Sequence, residues 1–124
     1  MSNYLYEEDT YKIIGALMEV HKNLGKGFSE IVYKDAFEYE LKKINFSFER
    51  EKEYAVHYKD IILKHKFYAD FVLLDKIIIE VKSTEGLIDK HISQCLNYLH
   101  VSGHRLAILV NFNKASLEYK RIIK

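Results

Sequence analysis

The sequence predicts one α/β domain, a mixed β-sheet core flanked by helices in the order ααββββαβ. Three observations carry this. Apolar residues recur at helical spacing early in the chain. In the middle they first alternate singly and then run almost unbroken. A second helical stripe and a short apolar run follow. At 124 residues, with no proline and no Gly/Ser-rich linker or repeat, residues 1–124 read as a single domain around one core.

Residues 10–24 predict the first helix, through Ile13, Ile14, Leu17, Met18, His21 and Leu24, with Thr10 as N-cap and Gly25 as stop. Residues 29–43 predict the second, capped by Ser29, with Ile31, Val32, Ala36, Phe37 and Leu41 on its apolar face and Glu30 at the favourable end of the helix dipole. Phe46 and Phe48 alternate with polar residues, as do Tyr54, Val56 and Tyr58. Lys59-Asp60 marks a turn, after which Ile61, Leu63, His65, Phe67 and Ala69 alternate again. Residues 71–74 and 77–79 are nearly continuous apolar runs, the signature of central strands covered on both faces. Residues 87–100 predict the third helix, and residues 106–110 a buried strand reached by a crossover.

Composition narrows the class. Hydrophobic residues make up 48% and charged residues 30%, which excludes a disordered chain. No run approaches the roughly 18 apolar residues of a membrane span. The stretch 1–9 is polar and acidic, unlike a secretory leader. The single Cys95 has no partner for a disulfide, so a reducing setting is expected: cytoplasmic, or nuclear in a host that has a nucleus. Net charge is +1, divided as −4 over residues 1–40, +2 over 41–84 and +3 over 85–124. A basic final third suits a phosphate backbone and equally an ordinary solvated surface.

Chemistry concentrates in residues 70–82. Asp70, Glu80 and Lys82 lie within the most apolar strands, where charge is costly unless paired or bound to a metal. Glu80 and Lys82, two apart on a strand, share a face. A three-residue connection between the strands would set Asp70 opposite Glu80, and a two-residue one would send it to the other face. Two carboxylates together form a hard-oxygen site for Mg²⁺ or Mn²⁺, to which the Val81 carbonyl would add. Lys82 beside it would orient or deprotonate water, or stabilise phosphate charge. These are parts for phosphodiester hydrolysis.

The pattern Asp70…Glu80-x-Lys82 resembles the motif of the PD-(D/E)XK nuclease superfamily, with Ala69 where the motif has proline. Gly27-Phe28-Ser29-Glu30-Ile31-Val32-Tyr33 resembles the name-giving motif of the GxxExxY family within it. Tyr68-Ala69-Asp70-Phe71-Val72, Ile79-Glu80-Val81-Lys82-Ser83, Gln94-x-x-x-Tyr98-Leu99 and Leu109-Val110-Asn111-Phe112 follow in the expected order. The resemblance implies a restriction-endonuclease-like fold and a metal-dependent nuclease acting on DNA, structure-selective or weakly sequence-specific. It implies Glu30 as a further acidic residue, binding metal directly or through water. It also implies Gln94 projecting to the same pocket, where it would orient the nucleophile or a phosphate, with Tyr98 supporting it. A homodimer would supply the two sites that duplex cutting needs.

Plainer readings compete. Glu80 and Lys82 can be a strand-end ion pair, Glu30 a helix-start charge and Gln94 a surface residue. Tyr33 and Tyr98 read as packing residues with a polar tip. His91 lies on the third helix's stripe, one turn before Gln94. Asn111-Phe112 reads as a strand end and turn, and Lys120, Arg121 and Lys124 as a solvated tail. Cys95, His100 and His104 lack a second cysteine and no HExxH occurs, so zinc is not expected. The rival function is a non-catalytic nucleic-acid-binding or protein-interaction module on the same scaffold.

Overall fold

The computed structural model describes residues 5–124, so residues 1–4 of the acidic N-terminal stretch lie outside the described residues. Helix α1 (Glu7–Leu24) begins a turn earlier than the sequence suggests. Glu7, Glu8 and Asp9 place negative charge on its first turn, which favours that end of the helix without a side-chain cap. Thr10 is consequently buried inside the helix and not its cap. Helix α2 (Glu30–Lys43) follows a turn in which Gly27 takes φ +105°, a conformation that suits glycine. Its core-facing residues are Tyr33, Phe37 and Leu41, each one turn apart, whereas Ile31 is 54% exposed. The buried face is thus rotated from the expected one.

Strands β1 (Phe48–Tyr58), β2 (Ile61–Leu73) and β3 (Ile77–Lys82) precede helix α3 (Asp89–Ser102), and β4 (Leu106–Asn111) and β5 (Glu118–Ile123) follow it. Three strands therefore stand before α3 and two after it, where the sequence suggests four and one. The two alternating stretches around residues 46–58 lie largely on one long strand, β1. The basic tail is an edge strand whose Ile122 reaches the core. The sheet runs β1-β2-β3-β4-β5, with only β3 and β4 parallel. Helix α3 provides the crossover between them.

Two clusters flank the sheet. Under α1 and α2 lie Ile13, Leu17, Tyr33, Phe37, Phe71, Leu73, Ile77, Ile79, Val81 and Phe112. Under α3 lie Ala69, Val72, Ile78, Cys95, Leu99, Ala107 and Leu109. Strands β3 and β4 alternate between the two and are buried almost throughout, as their unbroken apolar runs require.

Candidate active site

The β2–β3 ladder pairs Leu73 with Ile77, Val72 with Ile78 and Phe71 with Ile79, across the three-residue connection 74–76. One step on, the same register sets Asp70 opposite Glu80, and there side chains replace the ladder. The Asp70 backbone N–H donates to Glu80 Oε2 at 2.7 Å, and the Val81 backbone N–H donates to Asp70 Oδ2 at 2.8 Å. Each carboxylate satisfies a backbone donor that strand pairing would otherwise have used.

A slip in side-chain alternation accompanies this opening. Phe71 and Leu73 face the α1–α2 cluster, yet Ala69, an even number of residues away, faces the α3 cluster. Across the ladder, Glu51 stands between the Arg50–Phe71 and Lys52–Ala69 pairs with φ +54°. A left-handed residue in mid-strand re-aims its neighbours. Glu51 and Asp70 are thereby both brought to Lys34 of α2, whose Nζ lies 2.7 Å from Glu51 Oε1 and 3.1 Å from Asp70 Oδ1. Burial works against the Lys34 charge, but these two carboxylates outweigh it and hold its pKa above the ordinary lysine value.

Glu80 meets Asp70 from the α3 side. It is 3% exposed, and its pKa is pushed up to about 8. Burial is the main cause and the like charge of Asp70 the second. The Asp70 N–H, Lys82 and the Tyr98 hydroxyl oppose the rise. Lys82 shares the Glu80 face, and its Nζ donates to Gln94 Oε1 at 3.4 Å. His91, Gln94 and Tyr98 occupy successive turns of α3 beside the end of β3. His91 Nδ1 accepts the Ile88 N–H, while burial and nearby Lys82 lower its pKa. Burial pushes the Cys95 thiol up to about 12, which leaves it unreactive.

Glu30 is exposed at the start of α2. The segment before it is tied to the end of β3 by the Ser83 hydroxyl, which donates to the Phe28 carbonyl at 2.6 Å. Glu30 acts electrostatically on His91 but does not join Asp70 and Glu80. Among the described residues, no three His, Cys, Asp or Glu side chains gather as a metal cluster. The donor set still suits Mg²⁺, which commonly takes one or two carboxylates and completes its shell with water. A buried and a half-buried acid that repel each other have reason to accept a cation, but Lys34 would have to yield Asp70 Oδ1 to it.

Two of these residues, Lys34 and Glu51, are not expected from the sequence, and a third, Asn111, reads there only as a strand end and turn. Lys34 and Glu51 look like solvated charges, and the only clue to Lys34 is its position beside the buried Tyr33. Asn111 is fully buried and makes four hydrogen bonds. Its Oδ1 accepts the Thr84 and Asn113 N–H groups at 3.0 and 3.2 Å, and its Nδ2 donates to the Thr84 carbonyl at 2.9 Å and Glu118 Oε1 at 3.0 Å. It therefore fixes the segment that leaves the site. Asn111→Ala should destabilise the protein by about 2–4 kcal/mol, because it strands several buried groups. Urea denaturation would measure this, and a cost below about 1 kcal/mol would contradict it.

The chain matches the PD-(D/E)XK nuclease superfamily over residues 7–122 and belongs to it. Among solved structures it is similar to one titled "Crystal structure of SSO0001", with a TM-score of 0.64 at 23% identity. That match covers 96% of this chain and spans 60% of the other. At that identity the likeness bears on the fold alone; the family match agrees with a restriction-endonuclease-like sheet flanked by helices. No curated protein matches the chain. Among the described residues, no helix is long and apolar enough to cross a membrane.

Proposed function

We propose that the chain is a metal-dependent nuclease that hydrolyses phosphodiester bonds of DNA, with Mg²⁺ or Mn²⁺ held by Asp70, Glu80 and the Val81 carbonyl. One observation supports this above the rest: Asp70 and Glu80 face each other where β2 and β3 part, with Lys82 beside them. Such a metal acts as a Lewis acid and lowers the pKa of bound water. Lys82 would take or steady the proton of the attacking water and offset phosphate charge. Gln94 would fix Lys82 and orient the nucleophile or a phosphate oxygen. Glu30, at the rim, would reach the metal through water. A small domain offers little surface for reading sequence, so structure-selective or weakly specific cutting is the form proposed. The motif with Gly27, Glu30 and Tyr33 supports placing the chain in the GxxExxY family. The lone buried Cys95 supports a reducing, intracellular setting.

The engaged carboxylates favour a second reading, a non-catalytic binding module. Lys34 and two backbone N–H groups already occupy Asp70 and Glu80. A cleavage panel of single-stranded, duplex and branched DNA and RNA, with Mg²⁺ or Mn²⁺ and with chelator, decides between the two. Metal-dependent cleavage that chelator abolishes is expected. Absence of cleavage by folded protein would sink the nuclease reading in favour of the binding module.

A further inference from the structure

Helix α1 has an outer stripe that the fold does not use: Glu8, Tyr11, Lys12, Gly15, Met18, Glu19 and Lys22, all exposed. Tyr11 is 80% and Met18 48% exposed, so the stripe has an apolar centre. Gly15 sits at its middle. A glycine inside a helix costs roughly 0.5–1 kcal/mol relative to alanine. Nothing among the described residues calls for it, since a Cβ at position 15 would meet none of their atoms within 4 Å. Beside the stripe an open groove separates α1 from β5, lined in part by Tyr11, Gly15, Met18 and Tyr119.

The charges are arranged about Gly15 with opposite sign. Glu8 lies seven residues before it and Lys22 seven after; Lys12 lies three before and Glu19 four after. Among the described residues none of these four has an ion-pair partner. The helix dipole accounts for Glu8 and Lys22 near the two ends, but Lys12 and Glu19 lie beyond the first and last turns, where it has little effect, and Glu19 Oε1 accepts the Asn23 side-chain amide at 3.0 Å. An antiparallel copy of the same helix satisfies all four.

We propose that a second copy of the chain packs on α1, antiparallel, about a two-fold axis passing near Gly15. The glycines let the helices approach closely. Glu8 meets Lys22 and Lys12 meets Glu19 of the other copy, while Tyr11 packs towards Met18. The contact is isologous, so it closes at two copies. It stands whether or not the chain cuts nucleic acid.

Sedimentation of the full chain over a range of concentrations tests this. A monomer–dimer equilibrium is expected. Glu8→Lys and Lys22→Glu should each weaken it about tenfold, because every single change makes two like-charge contacts, and the double variant should return to near the wild-type value. Gly15→Gln should abolish the dimer without lowering the melting temperature. A chain that stays monomeric, or a dimer indifferent to the single charge changes or not restored by the double one, overturns the proposal.

Discussion

On the nuclease reading, Glu80→Gln should lower cleavage by roughly 100- to 1,000-fold, the scale of losing a group that stabilises transition-state charge, here the metal that Glu80 would hold, and yet make the metal-free protein more stable at alkaline pH. The second effect follows from proton linkage. The Glu80 carboxyl titrates near 8 in the fold, against an ordinary value of 4.5. Between those two values the folded chain keeps a proton that the unfolded chain releases. Stability from this group is therefore full below about pH 4.5 and is lost as pH rises towards 8. The loss by pH 8 should be a few kcal/mol. Glutamine keeps the shape and can still accept the Asp70 N–H, but has no charge to bury. The variant should match wild type near pH 5 and exceed it by about 2–3 kcal/mol at pH 8. Saturating Mg²⁺ should flatten the wild-type slope, since a bound cation favours the ionised carboxylate. Urea denaturation at a series of pH values measures all of this. Equal slopes for the two proteins would remove the case for a strained carboxylate pair.

Phe71→Ala should destabilise the chain by about 3–5 kcal/mol. Phe71 is fully buried at the centre of the α1–α2 cluster. The Phe37 ring meets it edge-on with centroids 5.1 Å apart, Phe48 lies 6.1 Å away, and the Arg50 guanidinium sits 5.7 Å above its face. Few substitutions in the chain would remove so many contacts. Phe71 is also the last β2 residue to pair with β3 before the opening at Asp70. Activity should therefore fall more than the folded fraction does, because the carboxylate pair loses its nearest anchor. Phe71→Leu, which keeps most of the volume, should cost under about 2 kcal/mol. An alanine cost below 1 kcal/mol, read from chemical denaturation, would contradict the packing described.

Much of this was legible in the residues. The apolar runs of β3 and β4 could hardly be anything but covered central strands. The sequence leaves Asp70 conditional on the length of the β2–β3 connection, and the three residues 74–76 of the structure set it opposite Glu80. What escaped has physical reasons. Glu51 adopts φ +54° although nothing in a glutamate announces it, so the slip that turns Asp70 towards Lys34 could not be read. The phase of α2 was ambiguous because Ile31 and Tyr33 are both apolar enough to be core, and only packing against Phe112 chooses the tyrosine. Strand β5 mixes charge and apolarity as edge strands do, which is also the composition of a solvated tail. The residues also allow Glu80 and Lys82 to be a strand-end ion pair, whereas in the structure Lys82 Nζ donates to Gln94 Oε1.

Tyr33 and Phe112 stack face to face, centroids 4.4 Å apart and planes 7° from parallel, while the Tyr33 hydroxyl donates to the Gly25 carbonyl at 2.6 Å and accepts the Phe28 N–H at 3.2 Å. Two motifs that lie near opposite ends of the chain are thus a single contact. A change of ring size at either position should therefore be felt at the other, and at the glycine-bearing turn that the Tyr33 hydroxyl holds. The string that stands out locally in the sequence works as one half of a long-range pair.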